Sequence, residues 1–223
     1  MNKQGAANPL DARLSQEEVK DVYNSAAKIY DVWALLTEGR ARKRALQLAQ
    51  IENGERVLEA AVGTALMFKE IVKRNPDGTN IGIDISNGML EKAQQRMAPL
   101  KDAHYELRVG DALDLPFPDN TFDLWVNNYM FDLIPFSEMG RILSEFRRVL
   151  KEKGRLVLVN MTESESAGGN LYGVIYRLFP KALGGCRGVK MSDRLAGAGF
   201  DVIKREYHQQ LMFPSEVILA LNN

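Results

Sequence analysis

The sequence predicts an α/β fold: a doubly wound, mostly parallel seven-stranded sheet with a helical cap at its N-terminus. Three observations predict it. Short apolar runs of strand length recur at residues 57–58, 81–83, 105–109 and 122–126. Each run ends on an acid or amide, at Glu59, Asp84, Asp111 and Asn127–Asn128. Helix-length segments closed by turn residues separate the first three, which is the pattern of βα units that wind into a parallel sheet.

Composition sets the outer bounds. The 223 residues, 45% hydrophobic and 26% charged, suit one globular domain with a sizeable core. A formal net charge of zero argues against a strongly basic surface, so no nucleic-acid partner is expected. The single cysteine, Cys186, and the two histidines, His104 and His208, leave no basis for an intrachain disulfide or a Cys- or His-based metal site. No apolar run approaches the ~20 residues that span a bilayer, and the N-terminus lacks a signal-peptide core, so a cytoplasmic protein is expected.

Along the chain, residues up to Leu14 read as loose. Ser15 and Glu18 then have capping-box spacing and start a helix. Tyr23, Ala26, Ala27, Tyr30 and Trp33 lie on one helical face, which either packs on the domain or forms a lid whose tyrosine hydroxyls reach a ligand. A basic helix follows at 40–50, with Arg40, Arg42, Lys43 and Arg44 at its start. Two readings stay open for it, a solvated face or a contact with anionic lipid or phosphate at the membrane periphery. Residues 1–50 therefore form the cap, and 51–223 the main domain.

The organising stretch is Arg56–Leu66: a strand closed by Glu59, a turn of small residues, then a helix. Such a turn brings backbone N–H groups close to a ligand, and the helix start favours negative charge, so a nucleotide-like ligand is expected. Asp84 ends the second strand and Ser86 caps the helix that runs to Met97. A carboxylate at that edge can accept both hydroxyls of a ribose. At the third strand end, Asp111 can accept from an exocyclic amine while the Ala112 N–H donates to a ring nitrogen, a pair that reads adenine. An amphipathic helix at 138–150, a strand at 155–159 ending on Asn160, a helix at 192–198 and strands at 200–207 and 210–220 complete the sheet. Residues 161–188 read as an insertion covering the carboxyl edge.

From Tyr23 to Val159 the chain resembles the class I S-adenosylmethionine (SAM)-dependent methyltransferases of the type 11 group, and within it the ubiquinone/menaquinone C-methyltransferases and bacterial phospholipid N-methyltransferases. The segments at 23–31, 57–65, 82–86, 110–123 and 148–156 carry the likeness. The resemblance implies a Rossmann-like fold and SAM as cofactor. It implies that Glu59 and the backbone of Ala60, Ala61 and Gly63 hold the methionine end, with Tyr23 at its carboxylate. Asp84 takes the ribose, Ile85 and Met89 pack on adenine, Asp111 and Ala112 read its edge, and Asn128 lies beside the sulfonium. The acceptor is then a small lipophilic molecule, a quinone precursor or a phospholipid amine, met by Tyr30, Met130, Asn160 and Tyr172.

The chain departs from the family pattern at Ala61 and Ala65, where Gly is common, and the Ala65 methyl is expected to fit helical φ/ψ. After the fourth strand it has Asn128-Tyr-Met-Phe-Asp-Leu-Ile-Pro, without the Gly-Leu-Arg-Asn segment usual in the quinone enzymes. No committed general base is visible, and SAM chemistry needs mainly alignment and exclusion of water. Two rivals remain: a noncatalytic protein on the same fold, and a nicotinamide-dependent oxidoreductase, which would want Gly-x-Gly-x-x-Gly where Gly63 stands alone. The methyltransferase reading requires Glu59, Asp84 and Asp111 to converge on one crevice.

Overall fold

The structure is a computed structural model. It describes residues 11–12, 14–15, 17–19, 21, 30–100, 102–165, 178, 185–211 and 213–223, with the side chains of 30–37 outside the description. Helix α1 is Tyr30–Leu48, followed by β1 (Arg56–Ala60), α2 (Phe68–Arg74), β2 (Thr79–Asp84), α3 (Asn87–Met97) and β3 (Tyr105–Val109). Then come β4 (Phe122–Asn128), α4 (Phe136–Val149), β5 (Leu150–Met161), α5 (Ser192–Gly197), β6 (Phe200–Gln210) and β7 (Phe213–Asn222).

The seven strands lie in the order β3-β2-β1-β4-β5-β7-β6. β1 through β5 pair in parallel, and β7 is antiparallel to both β5 and β6. The chain order reverses direction between β1 and β4. That reversal leaves a crevice at the carboxyl ends of the strands, because connecting helices depart to opposite faces there.

Central strands are apolar on both sides because helices cover both faces. On one face, Val57, Leu124, Val157 and Val217 pack with Ala41, Ala45 and Leu48 of α1. On the other, Leu58, Trp125, Leu156 and Ile218 pack with Ile142 and Phe146 of α4 and Leu195 of α5. α4 is well suited to this, since Met139, Ile142, Leu143, Phe146 and Val149 are all buried at helical spacing. A third cluster joins Phe68 and Val72 of α2 to Leu90, Ala93 and Met97 of α3.

Several boundaries differ from expectation, two of them substantially. α1 is a single helix where the sequence suggested two, Gly39 being tolerated inside it. β5 begins at Leu150 instead of Arg155, because Leu150 is fully buried and already pairs with Phe122; the ladder then takes a register irregularity before continuing at Leu124–Arg155.

Candidate functional site

The turn after β1 is wound more tightly than helix geometry allows. Ala61, Gly63 and Ala65 all have positive φ, at 55°, 54° and 61°. The expectation of helical φ/ψ at Ala65 is therefore wrong. Long-range bonds impose the shape: the Val62 N–H donates to the Ile83 carbonyl at 2.9 Å, and the Gly63 N–H to Asp84 Oδ2 at 2.8 Å. The helix consequently starts later, with Met67 as its cap and Phe68 as its first residue.

A left-handed alanine costs ~1–2 kcal/mol. Ala65→Gly relieves that cost, but gives up a buried methyl worth ~0.8 kcal/mol and adds ~0.4–1 kcal/mol of unfolded-chain entropy. The contributions cancel, so Ala65→Gly is expected within about 1 kcal/mol of the parent in urea unfolding. Ala65→Val adds a β-branch to a left-handed, fully buried position and is expected to lose about 3 kcal/mol. A neutral Ala65→Val would contradict the turn as described.

Two cavities adjoin this turn. The larger, about 300 Å³, is lined by Ala61, Gly63, Asp84, Ile85, Met89, Asp111 and Ala112 and by the apolar set Met130, Leu133, Ile134, Pro135 and Ile142. Asp84 is almost fully buried and accepts from the Ser86 N–H at 2.9 Å as well as from Gly63. Burial raises its pKa, against the pull of those backbone bonds. Asp111 is half-buried and accepts from the Leu113 N–H at 2.9 Å. Ser86 caps α3 as expected, accepting from the Met89 N–H at 3.1 Å.

The smaller cavity, about 30 Å³, lies between the turn and α1 and is lined by Glu38, Arg42, Glu59, Thr64, Leu66 and Met67. Ala61, Gly63, Asn128 and Tyr129 line both spaces and form the lip between them. The three carboxylates thus converge on one crevice with two lobes, Asp84 and Asp111 in the larger and Glu59 in the smaller, the lobes sharing four lining residues.

Glu59 is 2% exposed. Its Oε1 accepts from Asn128 Nδ2 at 3.1 Å, while Oε2 has no hydrogen-bond partner, nor does the Asn128 Oδ1. Burial pushes the Glu59 carboxyl up to about 8, opposed by the Asn128 bond and the Arg42 charge. Two unpaired buried acceptors side by side are costly unless a cation or donor fills them. That is the chemistry of an ammonium site.

Residues of the N-terminal segment also reach the larger cavity. Ser15 and Val19 line it, and the capping box forms as expected, with the Glu18 N–H donating to Ser15 Oγ at 3.2 Å and the Ser15 N–H to Glu18 Oε2 at 3.0 Å. Asp11 Oδ1 accepts from the Phe136 N–H at 3.0 Å and lies 3.5 Å from the fully buried Arg187 guanidinium. Arg187 also donates to the carbonyls of Asp132 and Ile134, which fixes the loop carrying the apolar wall.

Comparison with known proteins agrees with this geometry. A family model described as a methyltransferase domain matches residues 57–154, from β1 into β5. Demethylmenaquinone methyltransferase of Symbiobacterium thermophilum is 34% identical over 162 residues, 70% of this chain and 63% of that protein. The protein of the same name from Thermotoga maritima is 37% identical over 146 residues, 65% of this chain and 61% of that protein. The chain is similar to the class I SAM-dependent methyltransferases. It matches 61–63% of the length of these two relatives.

Solved structures show the same fold. The (4+2)-cyclase SpnF aligns over 97% of this chain and 99% of its own at 17% identity and a TM-score of 0.77. A geranyl diphosphate methyltransferase with geranyl diphosphate and sinefungin aligns over 83% and 78% at 18% identity and a TM-score of 0.69.

Within this family fold the structure sorts the expected residues. Asp84, Ile85, Met89, Asp111, Ala112, Ala61, Gly63, Asn128 and Met130 line the larger cavity. Glu59 lines the smaller. Ala60 lines neither, and its carbonyl is taken by Asn127 Nδ2 at 3.0 Å. Asn160 also lines neither. It is fully buried, accepting from the Asp132 N–H and donating to the Met161 and Val189 carbonyls, and so ties the loops together. Tyr23 and Tyr172 lie outside the described residues, as does the side chain of Tyr30, although its backbone opens α1. The insertion at 161–188 is described only at 161–165, 178 and 185–188.

Thr64, Tyr129, Glu38 and Arg42 were not singled out as ligand-site residues from sequence. Thr64 follows Gly63 in the turn and could have been found by extending the turn one residue. Nothing in the order of residues marks Tyr129, which is placed by a positive φ of 50° and a 2.9 Å bond between its hydroxyl and Ser215. Within the basic cluster, Arg44 binds Glu206 through two bonds of 2.7 and 2.8 Å, and Arg42 lines the smaller cavity. No helix among the described residues is long and apolar enough to cross a membrane.

Proposed function

We propose that this protein transfers a methyl group from SAM to a lipophilic acceptor, a quinone precursor of the demethylmenaquinone kind. The observation that carries the reading is the paired site: a cavity lined by two strand-end carboxylates and an apolar set of side chains, joined at Asn128 to a pocket where Glu59 has an unpaired oxygen. Asp84 would hold the ribose hydroxyls, Ile85 and Met89 would cover adenine, and Asp111 with the Ala112 N–H would read its edge. Glu59 and Asn128 would take the ammonium of the methionine end. The orphaned acceptors fit that group, because an ammonium supplies the donors they lack.

Bound SAM supplies an activated methyl, so the protein's task is alignment and dryness. Asn128 and Tyr129 line both spaces, which supports a position for them beside the reacting centre. Met130, Leu133 and Ile134 would keep water away and receive an apolar ring. Ser15 and Val19 line the same cavity. The names of the relatives support a quinone precursor over a phospholipid amine. A membrane-dissolved acceptor would bring the protein to the lipid surface.

The test is calorimetric titration with SAM, then incubation with methyl-labelled SAM and a lipid extract containing demethylmenaquinone. Label in the quinone fraction is expected. Label in phospholipid would move the acceptor to an amine. SAM uptake with no transfer would leave a noncatalytic protein on this fold, and absence of SAM uptake would overturn the reading.

A further inference from the structure

We infer that the tip of the β6–β7 hairpin, with Leu211 at its apex and Arg40 and Lys43 of α1 beside it, docks on an anionic lipid surface. The inference goes beyond the methyltransferase reading, since it concerns where the protein works and holds for any acceptor.

The hairpin breaks a local rule. β6 and β7 pair as far as Gln210 and Phe213, which leaves a two-residue connection, Leu211 and Met212, of which Leu211 is described. Tight connections of this length turn on residues that accept positive φ, chiefly Gly, Asn and Asp. Here a leucine holds φ at 56°. A large side chain is unfavourable in that region. The same leucine is 71% exposed, more than any other large apolar residue described. The fold thus bears strain to keep an apolar side chain in water, and burial in a partner would offset both. An exposed leucine alone needs no explanation, but one that also breaks the turn rule marks a working surface.

The sheet sets where that surface lies. β6 is parallel to β5, because β7 is antiparallel to both, so the tip stands at the carboxyl edge, which also carries Asp84 and Asn128. Ser215 pairs with Met161 at the end of β5 and with His208 in β6. From His208 the chain runs on to Leu211, which stands ~10 Å past that level. Two bonds hold the tip: the Arg40 N–H donates to Gln210 Oε1 at 2.9 Å, and Gln209 Nε2 donates to the Leu211 carbonyl at 3.3 Å.

The first of those bonds brings α1 alongside. Arg40 and Lys43 are exposed there, one helical turn apart, and neither has an ion pair among the described residues. Glu206, the acid that β6 presents to α1, is already bound by Arg44 and Lys204. Unpaired positive charge therefore stands beside the tip, although the chain as a whole is neutral. An apolar apex flanked by cations complements a layer with phosphates outside and hydrocarbon beneath, whereas a protein partner would want a broader apolar patch.

The test sediments the full chain with vesicles of phosphatidylcholine, alone or mixed with phosphatidylglycerol. Wild type is expected to bind the anionic vesicles, to bind the neutral ones about 30-fold more weakly, and to be released by high salt. Leu211→Gly suits the left-handed turn, so it should unfold no more readily than the parent, and is expected to weaken anionic-vesicle binding about 10-fold. Arg40→Gln combined with Lys43→Gln is expected to weaken it about 30-fold, the product of two surface cations. Calorimetric SAM uptake in solution should be unchanged in these variants.

Undiminished vesicle binding by Leu211→Gly, binding that ignores lipid charge, or no binding by wild type would overturn the inference. SAM uptake, measured without lipid, would leave the methyltransferase reading standing in each case. Sedimentation equilibrium without lipid covers the other occupant: a parent dimer that becomes monomeric in Leu211→Gly would assign the tip to a second copy of the chain and overturn the inference as well.

Discussion

Glu59→Gln is expected to stabilise the ligand-free protein at high pH and to weaken its hold on SAM by roughly 100-fold. The stability effect follows from burial. The folded state holds the Glu59 carboxyl at about 8 against an ordinary value of 4.5. Between those values the native state keeps a proton that the unfolded chain releases. Stability from this group is therefore complete below pH 4.5 and drains away as pH rises through 8. The limit of that loss is about 5 kcal/mol, as an order of magnitude. Glutamine keeps an acceptor for Asn128 Nδ2 and has no charge to desolvate, so the variant should equal the parent near pH 4 and exceed it at pH 9.

Binding runs the other way. A cation beside Glu59 favours its ionised form, so SAM uptake should release a proton below pH 8. Wild-type affinity should then climb from pH 6 to 8 and level off above, while the variant shows no slope. Titration in two buffers of different ionisation enthalpy counts the proton directly. A parent protein that gains stability from pH 5 to 8 in the same way as the variant would show that Glu59 is not buried as described.

Much of the frame was legible because it depends on local pattern. Runs such as Val57–Leu58 and Phe122–Val126 are apolar because helices cover both faces of a parallel sheet, and the strand-end positions of Asp84 and Asn128 follow from where those runs stop. Ser86 announced its helix because a cap is a local bond. What could not be read depends on bonds between distant segments. Ala61 and Ala65 are left-handed because Ile83 and Asp84, some twenty residues on, anchor Val62 and Gly63. Ala60 and Asn160 sit at the strand ends where ligands bind, yet Asn127 takes up the Ala60 carbonyl, and the chain near Asp132 and Val189 takes up the Asn160 amide. Division of the carboxylates between two lobes, with Ala61, Gly63, Asn128 and Tyr129 lining both, arises from the tertiary fold, which no spacing reveals.

That division makes Asp84→Asn behave unlike Glu59→Gln, and the contrast tests the site as a whole. Asp84 uses both oxygens internally, Oδ2 on the Gly63 N–H at 2.8 Å and Oδ1 on the Ser86 N–H at 2.9 Å. An oxygen with two lone pairs can accept one further bond each, which is what a ribose diol offers. Asparagine keeps one oxygen and turns an amine toward the other N–H, so one backbone donor is stranded and one sugar hydroxyl loses its acceptor. A stranded buried N–H costs ~1–3 kcal/mol of stability. Relief from desolvating the carboxylate offsets part of this, so the net loss should be small beside the effect on binding. That effect is expected to be about 100-fold, from the lost charge-assisted bond and the loosened turn. The decisive ligand is methylthioadenosine, which has the adenine and ribose and no amino-acid tail. Asp84→Asn should weaken it about as much as it weakens SAM, whereas Glu59→Gln should leave it unchanged. Equal loss of methylthioadenosine in both variants would mean that the nucleoside and the tail do not occupy the separate spaces assigned to them.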